Sequence, residues 1–156
     1  MKQQMVPDEL AELLNTAIYK EIASNAFYIA GQSRTRDPGA KVLMKEMADE
    51  ELKHSEWLKR LKEKGLEKRS WYQKEVPNLR ISEYLTGSDT LENASLQDTI
   101  IFAMKREQLA VEFYARMMGV IRDKSAKRLC TRLAREELKH KLRLEIFYDD
   151  LFYQEV

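Results

Sequence analysis

The chain has only two histidines, and each stands three residues after a glutamate: Glu51 with His54, and Glu137 with His140. On a helix, residues three apart lie ~60° apart around the axis and about one turn along it, so each pair can grip one ion together. Two more glutamates, Glu21 and Glu107, occupy matching places upstream of the pairs. The halves repeat with a single offset of 86 residues (107 − 21 and 140 − 54 alike), which also relates Phe27 to Phe113 and Tyr28 to Tyr114. The string EELKH at Glu50 to His54 recurs at Glu136 to His140.

A lone Glu-x-x-His is a frequent accident on a charged helix; four segments that agree are far more informative. Four carboxylates and two imidazoles gathered in one interior carry a large desolvation and repulsion penalty unless cations offset it. Two divalent ions would balance the four glutamate charges. Mixed oxygen and nitrogen ligation fits iron first and manganese second, whereas structural zinc favours closed sites with thiolates and calcium favours all-oxygen sites. The predicted metal ligands are therefore Glu21, Glu51, His54, Glu107, Glu137 and His140, holding two iron ions and suited to oxygen or peroxide chemistry.

Glu50 and Glu136 also repeat, each four residues before a histidine. Glu51 and Glu137 are preferred because they continue the inward stripes, while Glu50 and Glu136 fall at the stripe edge, where interhelical ion pairs are usual. Tyr28 and Tyr114 follow Glu21 and Glu107 by seven residues, ~10 Å along the axis and nearly on the same face. Side chains lean toward a helix N-terminus, so each phenol is expected to point back at its own glutamate, as a hydrogen-bond or electron donor. Alternatively each fills core space and satisfies its hydroxyl elsewhere. Ala17, Ser24, Ala103 and Ala110 flank the glutamates and either leave room for metal and substrate or reflect ordinary bundle packing.

The elements that must position these residues are four helices. Apolar and ligand-type residues recur at spacings of three and four in each segment. The first runs from about Pro7 to Arg34, with the stripe Leu10, Leu14, Ala17, Glu21, Ser24, Tyr28. The second runs from about Pro38 to Lys64, capped by Asp37 and stopped by Gly65, with Met44, Met47, Glu51, His54, Leu58 and Leu61 on one face. The third begins at Ser95 as N-cap and ends near Ile121, with Ile100, Ala103, Glu107, Ala110 and Tyr114 inward. The fourth starts near Asp123, and its stripe passes through Cys130, Leu133, Glu137, His140 and Leu144 to Leu151. Cys130, two turns from Glu137, reads as a core residue.

Helices of about 27 residues are ~40 Å long, so the stretch between the second and third can return along the bundle and leave those two parallel. The order is then up, down, down, up, with two antiparallel hairpins at about 7–64 and 95–151. A shared offset in both helices of each hairpin indicates a duplicated unit packed about a pseudo-twofold axis. Its inward residues converge on one centre.

At 156 residues, with five Gly and three Pro, the chain reads as one all-α domain. Lys and Arg number 27 against 26 Asp and Glu, so no strong field draws it to nucleic acid or an anionic membrane. No segment approaches the ~20 apolar residues of a membrane span, and the N-terminus lacks a signal-peptide core. The cytoplasm is the default expectation.

On Glu21, Glu51-x-x-His54, Glu107 and Glu137-x-x-His140 the sequence resembles the ferritin-like di-iron carboxylate proteins, and most of all the bundle domain of rubrerythrins. That resemblance covers nearly the whole chain. It implies peroxide reduction, dioxygen reduction or ferrous iron oxidation, with electrons from an external donor protein; non-catalytic iron buffering or storage is the alternative. Rubrerythrins commonly add a rubredoxin module with four cysteines and a further glutamate ligand one turn after the third-helix glutamate. Here there is one cysteine, and Ala110 takes that place. The short fifth helix of shell-forming ferritins has no counterpart, so a homodimer is expected rather than a cage.

Overall fold

The structure, a computed structural model, describes residues 5–65, 94–122 and 124–152. Four helices make up almost all of them: α1 (Met5–Arg34), α2 (Pro38–Gly65), α3 (Leu96–Met118) and α4 (Lys124–Phe152). The path between α2 and α3, expected as a long crossover, falls on 66–93 and lies outside the described residues. None of the described helices is long and apolar enough to cross a membrane.

The turn from α1 to α2 is short because local hydrogen bonds close it. Thr35 N–H donates to the Gly31 carbonyl at 3.2 Å, and the Asp37 carboxylate accepts from Ala40 N–H at 2.8 Å. With Pro38 in the first turn, where no amide hydrogen is needed, α2 starts as the sequence predicts. Ser95 caps α3 by accepting from Asp98 N–H at 3.1 Å, and Asp98 adds a favourable charge in the first turn. The third helix stops at Met118, earlier than Ile121, because Gly119 and Val120 bond back to Arg116 and Met117 in a tightened last turn.

Contacts between helices run in opposite directions along each pair. Glu21 meets Tyr114 while Tyr28 meets Glu107, so α1 and α3 are antiparallel. Glu50 meets His140 while Trp57 meets Arg132, so α2 and α4 are antiparallel too. Asn25 donating to the Ala48 carbonyl at 2.7 Å and Lys62 to Asn15 at 2.6 Å set the same sense for α1 and α2. The four-helix bundle is therefore up, down, down, up.

Two apolar clusters plug the bundle on either side of its middle. One packs Leu13, Leu14, Ala17, Leu58, Phe113, Met117, Ile121, Ala126, Cys130 and Leu133; the other packs Phe27, Leu43, Met44, Met47, Ile100, Ala103 and Leu144. Cys130 belongs to the first, and burial pushes its thiol up to about 12, so it stays a protonated, inert core group. Between the plugs the inward faces are carried by charged residues.

Candidate metal centre

The layer between the plugs contains Glu21, Glu51, His54, Glu107, Glu137 and His140, each no more than 2% exposed. Each arises from the helix period: the inward stripe of α2 passes from Met47 through Glu51 and His54 to Leu58, and that of α4 from Leu133 through Glu137 and His140 to Leu144. The structure brings all six residues together.

Their donor atoms form two overlapping groups, Glu21, Glu51, His54 and Glu137 in one and Glu51, Glu107, Glu137 and His140 in the other, with ligand atoms within 4.8 Å of one another in each. Glu51 and Glu137 belong to both. Nδ1 of His54 lies 3.1 Å from Glu51, 3.3 Å from Glu21 and 3.5 Å from Glu137. Nδ1 of His140 lies 3.2 Å from Glu137, 3.4 Å from Glu107 and 3.8 Å from Glu51. The two rings are stacked with centroids 6.0 Å apart. Two glutamates therefore span the middle, and one glutamate with one histidine closes each end.

The chemistry of the donor set fits a pair of hard to borderline cations. Glu51 Oε1, Glu107 Oε1, both carboxylate oxygens of Glu137 and Nδ1 of His140 are buried without a hydrogen bond. Orphaned buried acceptors are costly unless a cation takes them. Burial, with Glu137 nearby, pushes the Glu107 carboxyl up to about 7. Burial and neighbouring carboxylates also raise Glu51 and Glu137. For His54 burial acts downward, but Glu137, Glu21 and Glu51 outweigh it and lift the imidazole to about 12; His140 is raised by the same competition. In the metal-free protein the surrounding carboxylates thus favour protonated imidazoles, whose charge offsets part of their own.

Tyr28 and Tyr114 do reach the glutamates, but not their own. Tyr28 Oη donates to Glu107 Oε2 at 2.5 Å, and Tyr114 Oη donates to Glu21 Oε2. The reason is the antiparallel pairing of α1 and α3. Each glutamate leans toward its own N-terminus, which carries it away from the tyrosine on its own helix and toward the one on the facing helix. Burial and the facing carboxylates raise both phenols well above their ordinary value, so they remain protonated donors. Replacing Tyr28 with Phe strands Glu107 Oε2 in the interior, which should destabilise the metal-free protein by about 1–3 kcal/mol in urea titrations.

Three contacts were not legible in the spacing alone. Lys20 is 3% exposed, with Nζ 3.9 Å from Glu21 Oε2 and 5.5 Å from the Tyr114 ring centroid. Burial works against its charge, but Glu21 and the other three cluster glutamates overcome this and raise its pKa. Glu21 shows the matching effect: burial acts upward, yet Lys20 and His54 hold its carboxyl well below the usual range. A signal existed, since a basic residue precedes both upstream glutamates as Lys20 and Arg106. Arg106 instead donates to Ser24 Oγ at 3.1 Å and covers the Phe27 ring. The second contact joins Glu50 to His140, and the third sets the Trp57 ring against His54 at a 34° tilt. Of the four small residues, Ala17 and Ala103 pack in the two plugs, Ser24 meets Arg106, and Ala110 is buried outside both plugs.

Comparisons with known proteins match the fold that carries this cluster. A solved hypothetical protein from Pyrococcus furiosus is 29% identical, with a TM-score of 0.70 over 93% of this chain and 91% of its own. A putative ferritin-like diiron-carboxylate protein from Thermotoga maritima shares the fold at 19% identity, with a TM-score of 0.66 over 87% of this chain and 91% of its own. A two-domain protein from Anabaena variabilis, with DJ-1/ThiJ/PfpI-like and ferritin-like domains, matches at 18% identity and a TM-score of 0.70, over 96% of this chain but 39% of its own. No curated protein sequence matches. The rubrerythrin family profile matches residues 12–148, the span that holds most of both hairpins and all six clustered side chains, and the chain belongs to the rubrerythrin family.

Proposed function

We propose that this protein is a di-iron oxidoreductase acting on hydrogen peroxide or dioxygen. The observation that carries the reading is the pair of four-residue groups sharing Glu51 and Glu137 between apolar plugs. Glu21, Glu51, His54, Glu107, Glu137 and His140 would hold the two ions, and the T. maritima relative described as a diiron-carboxylate protein favours iron over manganese. When bound in the ferrous state, the two ions supply the two electrons that, with two protons, reduce one hydrogen peroxide to two waters.

The chain's own residues contribute position and protons. Tyr28 Oη and Tyr114 Oη hold protons against Glu107 and Glu21 at opposite ends of the cluster. Lys20 adds a fixed positive charge beside Glu21, which favours an anionic ligand. The apolar plugs exclude water, which strengthens each of these interactions. The same reading takes its reducing equivalents from an external electron-donor protein and places the chain in the cytoplasm. It also pairs two copies through the exposed apolar stripe Tyr19, Ile22 and Ile29 on α1.

Rapid mixing tests the proposal. Ferrous-loaded protein should consume peroxide or dioxygen and gain near-ultraviolet absorption at least ten times faster than the same iron in buffer. Equal rates would end the enzyme reading. One observation favours a second reading, iron holding without turnover: all six residues are essentially inaccessible. Tight retention of about two irons per chain, with no accelerated oxidation, would establish that alternative.

A further inference from the structure

The two hairpins place His54 and His140 in equivalent positions but back them differently. Nε2 of His140 lies 2.5 Å from Glu50 Oε1, which reaches across from α2. Arg143 anchors that carboxylate, with Nη1 3.8 Å from Glu50 Oε2 while Nη2 pairs with Glu46. The repeat puts Glu136, Trp57 and Arg132 where Glu50, Arg143 and Glu46 stand in the other half. Among the described residues Glu136 makes no such bond to His54. The His54 ring instead lies 5.2 Å from Trp57, centroid to centroid, and Arg132 sits 4.1 Å from the Trp57 ring.

These two backings differ in chemical consequence. A carboxylate on Nε2–H fixes the tautomer that leaves the Nδ1 lone pair facing the cluster, and it raises the basicity of that nitrogen. An indole tilted against the imidazole and covered by a guanidinium packs on the ring but offers Nε2–H no carboxylate. The two halves of the centre, identical in their inward residues, thus differ in what stands behind them.

Resting on the metal-centre reading, we infer that the two ion positions are inequivalent, with Glu50 the positioning residue that makes the His140 position the tighter and first filled. Nothing in the repeat itself distinguishes the two; the distinction comes from the exchange of Arg143 and Glu46 for Trp57 and Arg132.

Cobalt(II) titrated into the metal-free full chain, followed by calorimetry, tests this. The natural protein should bind in two resolved steps. Glu50→Gln should weaken one step by roughly tenfold or more and spare the other, as loss of an outer hydrogen-bond partner does. Glu136→Gln should change neither step by more than about twofold. In a His140→Ala background Glu50→Gln should have no effect on the remaining ion, because its influence passes through that imidazole; a general structural effect would persist there. Equal effects of Glu50→Gln and Glu136→Gln, or an effect of Glu50→Gln that survives in His140→Ala, would overturn the inference. If the natural protein bound no cobalt at all, the metal-centre reading would fail and take this inference with it, an outcome distinct from binding without asymmetry.

Discussion

Glu51→Ala is expected to weaken both ion positions, and Glu21→Ala only one. From the sequence, Glu51 pairs with His54 and its loss would remove a single position. The structure puts Glu51 and Glu137 in both groups of potential ligands, whereas Glu21 and Glu107 each belong to one. Losing a shared carboxylate also removes an anion that faces both cations, so each ion loses a direct ligand. The effect on each position should exceed the 10–100-fold typical of losing an outer hydrogen-bond partner. Anaerobic ferrous iron titration would show about one ion per chain for Glu21→Ala and close to none for Glu51→Ala or Glu137→Ala at micromolar iron. Retention of one tightly bound iron by Glu51→Ala would show that it does not bridge. Circular dichroism of each metal-free variant separates ligand loss from unfolding.

Metal loading should raise the melting temperature, and by more as the pH rises. In the metal-free protein the His54 imidazole, though lowered by burial, is lifted by its carboxylate neighbours from 6.5 to about 12. Its stabilising contribution is therefore complete below about pH 6.5 and is lost as pH climbs toward 12. Glu107, raised from 4.5 to about 7 by burial and by Glu137, works in the same direction: the folded form holds a proton that the unfolded form has released, so stability falls between those values. Metal binding needs neutral imidazoles and ionised carboxylates, so it expels these protons and tightens with pH. About two protons should leave with the imidazoliums as the pair of ions binds. At a free metal concentration of 100 times the dissociation constant the gain is about 2.7 kcal/mol, or roughly 5–11 °C for a chain this size. Scans with and without ferrous iron between pH 6 and 8 should show the gap widening. A gap that narrows would mean that the ions are not displacing these protons.

Much of this architecture is readable before any coordinates. Ser95 and Asp37 announce helix starts because their side chains accept from backbone amides that would otherwise be orphaned, and both do so here. The stripes through Met47 and Leu58, or Leu133 and Leu144, are local consequences of the 3.6-residue period. Where ends were misjudged, as at Met118, the deciding bonds were a few carbonyls in one last turn.

What the sequence by itself determined is which residues face inward and that they come in two copies, since both follow from spacing along a single helix and from the constant offset. It could not determine who meets whom across the gaps between helices. That depends on the axial stagger and rotation of each helix against its neighbours, which are set by the non-local packing of the plugs around Leu58, Phe113, Met44 and Ile100. Only the tertiary structure therefore decided that Tyr28 serves Glu107, that Glu51 and Glu137 span the middle, that Lys20 is buried beside Glu21, and that Glu50, an edge residue by its own helix, backs the histidine of another.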